Sequence, residues 1–180
     1  MPDDALRGPT LLAIARSAIE QTSTSAPRVW TEEWLRAPGA SFVTLHLDGD
    51  LRGCIGSVEA RRALGDDVTH NAHAAAYRDP RFPPLAAHER GRIEVEVSVL
   101  SERLALPVAS EAEAVRALRP NVDGVVLEYE SFRATFLPQV WESLPDPVDF
   151  LAELRRKARL PARFWHPQMK VSRYTVEKYR

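Results

Sequence analysis

Cysteine is almost missing from this sequence: Cys54 is the single thiol in 180 residues. No intrachain disulfide can form, and a reducing compartment is the natural expectation. Lysine is scarce too, occurring only at Lys157, Lys170 and Lys178, so arginine carries most of the positive charge. The formal net charge of −1 excludes the strongly basic class of nucleic-acid binders. No apolar run approaches the ~20 residues a membrane-spanning helix needs. The opening stretch MPDDALRG is acidic and lacks the apolar centre of a secretory signal. These absences together lead us to expect a cytoplasmic protein. There is no glycine-rich phosphate loop followed by lysine and no serine nucleophile elbow. Repeats, low-complexity tracts and the interleaved basic and aromatic residues of single-strand binders are absent as well.

At 44% hydrophobic residues, the chain can bury one core, or one core with a smaller appended lobe. Residues 9–21 place Leu11, Leu12, Ala15, Ala18 and Ile19 on one helical stripe, with Pro9 near the start. TSTSAP then breaks the pattern, and TEEWLR reads as a short helix capped by Thr31. Residues 66–78 predict a helix that the prolines of DPRFPPL end. Residues 92–101 alternate Ile93, Val95, Val97 and Val99 with polar residues, as a half-buried strand does. SEAEAVRAL predicts a helix capped by Ser110, with Glu113 at capping-box spacing. Residues 124–137 predict a hairpin turning near Glu130–Ser131. DPVDFLAELRRKARL predicts a helix built on Val148, Leu151, Leu154 and Ala158, and KVSRYTVEKYR a closing strand. Helices mixed with hairpins, without regular βαβ alternation, argue for an α+β fold with antiparallel sheets.

Residues 41–58 predict a further hairpin. The turn chemistry of Asp48–Gly49 favours a two-residue loop, whereas the apolar pattern favours three. With three, Val43, Leu45, Leu47, Leu51 and Ile55 share one face, and Phe42, Thr44, His46, Arg52 and Cys54 share the other. Burial of each large apolar side chain is worth ~1.5–3 kcal/mol, which decides for the longer loop, with Asp50 left-handed. Arg52 then favours a thiolate at Cys54. His46 lies opposite Arg52 and diagonal to Cys54, so that Cys54 and His46 are candidates for a nucleophilic pair. Gly53 and Gly56, each weakening a strand by about 0.5–1 kcal/mol, point to a close backbone approach or an opening for a ligand. On spacing alone, packing of Cys54 as a small hydrophobe is the simpler account.

Three other constellations stand out. His70 and His73 share a helix face with Tyr77, but zinc needs a third protein ligand and none is evident, so we expect no metal site. The proline-fixed loop AAYRDPRFPPL can present Asp79, Arg81 and Phe82, or simply plug a core with Phe82 and Leu85. TFLPQVW can present Gln139 and Trp141 to a ligand, or cap a lobe. None of these points to a particular cofactor.

FVTL, LRGCIG, AAYRDPRFPPL, VEVSVLS, VDGVVLEY, TFLPQVW and FLAELRRKA come in the order seen in the AMMECR domain family, which the chain resembles from about residue 10 to 178. Bacterial members are called AmmeMemoRadiSam system protein A. The resemblance implies two α+β lobes, each with an antiparallel sheet and flanking helices, separated by a cleft. We place the larger lobe at residues 1–101 plus 162–180 and the smaller at 102–161. The resemblance implies that the signature strand faces the cleft, which favours a site around Cys54. It would be formed by Leu51, Arg52, Gly53, Cys54, Ile55 and Gly56, with Asp79, Arg81, Phe82, Thr135 and Gln139 around it. Arg52 is expected to anchor an anionic or carbonyl group. The site would take a sizeable ligand or a protein partner; the family's system name implies Memo-type and radical-SAM proteins as associates. The alternative is an enzyme using Cys54 as nucleophile or redox thiol. Two positions depart from the family pattern: Ala134 stands where glycine is common, and Arg159 replaces a glycine suited to ending a helix.

Overall fold

A computed structural model describes residues 4–21 and 29–180. The TSTSAP break lies outside the described residues. The chain divides into two compact units, residues 1–100 with 177–180, and residues 101–176. Each is built on its own antiparallel sheet and has its own hydrophobic core. The α+β class expected from helices mixed with hairpins, without regular βαβ alternation, is the one observed.

In the first unit, helix α1 (Asp4–Glu20) begins before Pro9, which lies inside it. Helix α2 (Glu33–Arg36) follows. Its cap position is Glu32 and no side chain caps it; Thr31 instead donates its hydroxyl to the Glu32 carboxylate at 2.8 Å. Strands β1 (Pro38–Leu47) and β2 (Asp50–Gly56) form the expected hairpin. The short β3 (Arg62–Ala63) leads into helix α3 (Leu64–Tyr77), and β4 (Ile93–Leu100) completes the run. The sheet order is β2-β1-β4-β9, where β9 (Val176–Tyr179) returns from the far end of the chain, and β3 pairs with the start of β1. Val43 and Leu45 of β1 meet Val97 and Val95 of β4 across the ladder. Those side chains face α1 and α3, where Leu11, Ala15, Val68, Ala72 and Ala75 complete the core. No helix of the described residues is long and apolar enough to cross a membrane.

The hairpin satisfies both signals that seemed to compete. Leu47 pairs with Asp50, so the loop is the two residues Asp48 and Gly49, with φ of 54° and 90°. Positive φ at both positions is what a twisted two-residue hairpin requires. Asp50 is therefore an ordinary strand residue, not the left-handed one expected. One step into the ladder the register shifts: His46 pairs with Leu51, but Leu45 pairs with Gly53. Arg52 is the extra residue of a β-bulge. Beyond it, Val43 pairs with Ile55 and Thr44 with Cys54, the register the apolar pattern demands. Turn chemistry decides the tip, core burial decides the rest, and a single bulged residue absorbs the difference.

The second unit carries β5 (Leu104–Leu106), α4 (Glu111–Ala117), β6 (Gly124–Tyr129), β7 (Phe132–Phe136), a 3-10 turn (Pro138–Glu142), α5 (Pro147–Lys157) and β8 (Lys170–Tyr174). Its sheet order is β5-β8-β6-β7. Because β8 pairs with both β5 and β6, the chain stays in this unit through residue 176 and does not return to the first at 162. KVSRYTVEKYR is thus two strands in two sheets, broken at Thr175, and not one closing strand. The Ser110 hydroxyl accepts from the Glu113 N–H, as its spacing predicts. In α5 the core contacts are Phe150, Leu151 and Leu154, while Val148 is 49% exposed and adds nothing to that core. Trp141 stacks on Phe150 with ring centroids 3.7 Å apart and donates Nε1–H to the Asp123 carbonyl at 2.7 Å. The end of α5 accommodates Arg159 without glycine. Arg159 takes φ of 64°, its N–H reaches the Arg156 carbonyl, and Leu160 N–H reaches the Arg155 carbonyl. Those two bonds are the helix-terminating pattern that glycine usually serves.

Candidate functional site

Strand β2 lies at the edge of its sheet, so one side of its backbone has no neighbouring strand. An uncovered edge of this kind invites pairing with other chains. Here the loop after α3 covers it. The Asp79 carboxylate accepts the Cys54 N–H at 2.8 Å, and the Arg81 guanidinium donates to the Cys54 carbonyl at 3.2 Å. Asp79 also binds Arg81 through its backbone N–H at 3.1 Å, Nε at 3.0 Å and Nη2 at 2.7 Å. Its side chain is only 2% exposed. Arg81 first, and then the Cys54 and Arg81 N–H groups, hold the Asp79 carboxyl well below the usual carboxylate range against the opposing effect of burial.

Arg52, the bulged residue, is held by the same loop. Its Nε and Nη2 donate to the two Glu89 oxygens at 2.9 Å each, and Nη1 donates to the Pro83 carbonyl at 3.0 Å. The fork-on-fork geometry is the strong form of an arginine–carboxylate pair. Arg52 holds Glu89 down to about 2, assisted by the Ala86 N–H. The guanidinium expected to anchor a ligand is therefore engaged inside the protein, where it fastens the loop. Phe82 lies between the two arginines, its centroid 6.0 Å from the Arg52 Cζ and 5.5 Å from that of Arg81.

Gly53 and Gly56 have structural reasons. A Cβ on Gly53 would overlap the Ala75 carbonyl oxygen, so glycine here lets α3 close directly on the back of β2. A Cβ on Gly56 would overlap the Phe42 ring, which lies across it. Both are close approaches; neither glycine marks an opening. Ile55 packs against the core, and Leu51 is 42% exposed at the start of the strand.

On the sheet face that carries no helix, Cys54 is half-buried beside Thr44, whose hydroxyl donates to the sulfur at 3.3 Å. That pair is directly opposed across β1 and β2, and the next strand adds Glu96 opposite Thr44. Glu96 is 7% exposed and is paired by Lys178 at 3.9 Å and by Arg180. The expected Cys54–His46 pair does not form. The bulge sets His46 opposite Leu51 on one side and Glu94 on the other, and no hydrogen bond joins it to Cys54 among the described residues. Thr135 and Gln139 belong to the second unit. Thr135 shares a 3.1 Å hydrogen bond with the Tyr174 hydroxyl, and Gln139 is exposed on the 3-10 turn. Among the described residues, no group of three or more His, Cys, Asp or Glu side chains is arranged to hold a metal ion.

Sequence patterns missed three residues that organise this region. Glu89, in the irregular stretch HERGR, has no pattern that marks it. Asp67 and Asn71 did leave a signal: both fall within the apolar stripe of α3 formed by Leu64, Val68, Ala72 and Ala75. Asp67, 1% exposed, accepts from the Ser41 N–H and hydroxyl, the Ser57 hydroxyl and Asn71 Nδ2 at 2.7–2.9 Å. This hub ties β1, the exit of β2 and α3 into one body.

A sequence model of the AMMECR1 family matches residues 12–179. The chain belongs to the AMMECR1 family. Among its relatives, a protein of Methanothermobacter thermautotrophicus is 38% identical over 180 residues, which is 94% of this chain and 92% of that protein. A Thermotoga maritima protein is 37% identical, over 83% of this chain and 82% of its own. The crystal structure of the uncharacterised protein PH0010 from Pyrococcus horikoshii superposes with a TM-score of 0.78 at 31% identity. That match covers 95% of this chain and 89% of the other. The stretches LRGCIG and DPRFPP of this AMMECR1 domain are thus joined physically through Asp79, Arg81 and Arg52.

Proposed function

We propose that this AMMECR1-family protein is a binding module that recognises a protein partner or a sizeable ligand through the helix-free face of its first sheet, centred on Cys54 and Thr44. The observation that carries the reading is the way β2 is immobilised. Helix α3 seals it from behind at Gly53, and Asp79 and Arg81 occupy its free edge. Addition of a partner strand to that edge is blocked, which leaves the helix-free face around the half-buried Cys54 and Thr44 for recognition. A rigid, pre-set surface loses little conformational entropy on binding. Memo-type and radical-SAM proteins are the partner class that the family resemblance implies. Immobilised Cys54→Phe and wild-type proteins would be compared for retention of a Memo-type protein, with thermal melts to confirm folding. Loss of retention with an unchanged melt is expected; equal retention would refute the role of this face.

The enzymatic alternative, with Cys54 as nucleophile, draws support from the Thr44 hydroxyl that donates to sulfur. It lacks a hydrogen-bonded base among the described residues, which a thiol–base catalyst needs. Binding is the better-supported reading.

A further inference from the structure

We infer that the notch between α1 and the start of β4 is a second binding site, for a small zwitterion of amino-acid to dipeptide size. It encloses about 390 Å³ and is lined by Arg16, His46, Gly49, Glu94, Val95 and Glu96, with Arg180 at its wall. That lies at the lower end of the range for small-molecule sites, about 300–1,000 Å³. Its charges are not all answered. Glu96 already has its counter-charges in Arg180 and Lys178. Glu94 and Arg16, both exposed, have no ion-pair partner among the described residues and do not pair with each other. The notch therefore offers one guanidinium and one carboxylate, each open to a ligand.

A ligand of one sign would satisfy one of these groups and be repelled by the other. A molecule carrying both charges satisfies both. Its carboxylate goes to Arg16, whose planar fork suits it. Its ammonium goes to Glu94, and His46, directly across the ladder from Glu94, supplies a further polar contact. Gly49, with φ of 90° and nothing within 4 Å of a Cβ built on it, leaves the mouth unobstructed. The notch borders the Cys54 face at Glu96, but Arg16 and Glu94 lie outside the Thr44–Cys54 pair, so either reading can fail alone.

The test is amide chemical-shift titration of the whole protein with glycylglycine, with acetate and ethylamine as single-charge controls. Saturable shifts at Gly49 and Val95 with glycylglycine, and none with either control, are expected. Because each contact is a partly solvated ion pair, Arg16→Ala and Glu94→Gln should each weaken binding about fivefold. Both positions are exposed, and a thermal melt equal to wild type would confirm that the fold is intact. Absence of saturation at about 50 mM, a weakness beyond ordinary millimolar binding, would overturn the proposal. Equal shifts with acetate alone, or unaltered binding by both variants, would overturn it as well.

Discussion

Replacing Asp79 by alanine tests how β2 is held. The carboxylate is 2% exposed and takes the Cys54 N–H together with three donors of Arg81. Arg81 is 54% exposed, so water recovers most of what its guanidinium loses. The Cys54 N–H sits under the loop and has no such recourse. An orphaned buried donor costs about 1–3 kcal/mol, and the lost charge-assisted bond about 1.5–3 kcal/mol. Allowing for partial relaxation, we expect a loss of about 3 kcal/mol from the first unit. At about 2–4 °C per kcal/mol for a chain of this size, its melting midpoint should fall by about 6–12 °C. Arg81→Ala leaves the Asp79–Cys54 bond in place but strips the buried carboxylate of its counter-charge, and should cost about 1–3 kcal/mol. Calorimetry of both variants checks this. A melt of Asp79→Ala within 2 °C of wild type would refute this role for the carboxylate.

Gly53→Ala should destabilise the first unit by about 1–3 kcal/mol, since the new methyl meets backbone of α3 that cannot swing aside; urea denaturation measures it. Asp67→Ala strips the buried hub of its acceptor, and a loss of about 3–5 kcal/mol is expected in the same assay. Glu89 and Asp79 both have folded values below their unfolded ones, so their contribution is complete above about pH 4.5 and fades as pH falls toward about 2. Melting midpoints followed from pH 6 to 2 should be level at first and then drop through that window, with a smaller drop in Glu89→Gln.

Much of the fold was legible because core burial and turn chemistry write separate patterns. The capping of α4 by Ser110 was read directly, as was the strand at residues 93–100, although Glu96 and Ser98 are buried where its alternation implied a half-buried strand. The β1–β2 hairpin shows where such reading stops. Two valid signals disagreed by one residue, and only a bulge at Arg52 reconciles them, which no local pattern encodes. The same limit governs the site. Cys54, Arg52, Asp79 and Arg81 were singled out and do lie together, yet the role expected of Arg52 depended on Glu89, 37 residues away in an irregular loop. The late return of the chain at residue 176 was hidden for a similar reason, since β8 is assigned by its partners β5 and β6 and not by its composition.

The central claim is that β2 is locked from behind and from its edge while the Cys54 thiol stays on the helix-free face of the sheet in the folded protein. Alkylation of the native protein by iodoacetamide, timed against global unfolding by hydrogen exchange, tests it most directly. The account predicts modification at Cys54 far faster than unfolding, with Thr44→Val altering the rate and leaving the melt unchanged. Reaction no faster than the unfolding rate would contradict it.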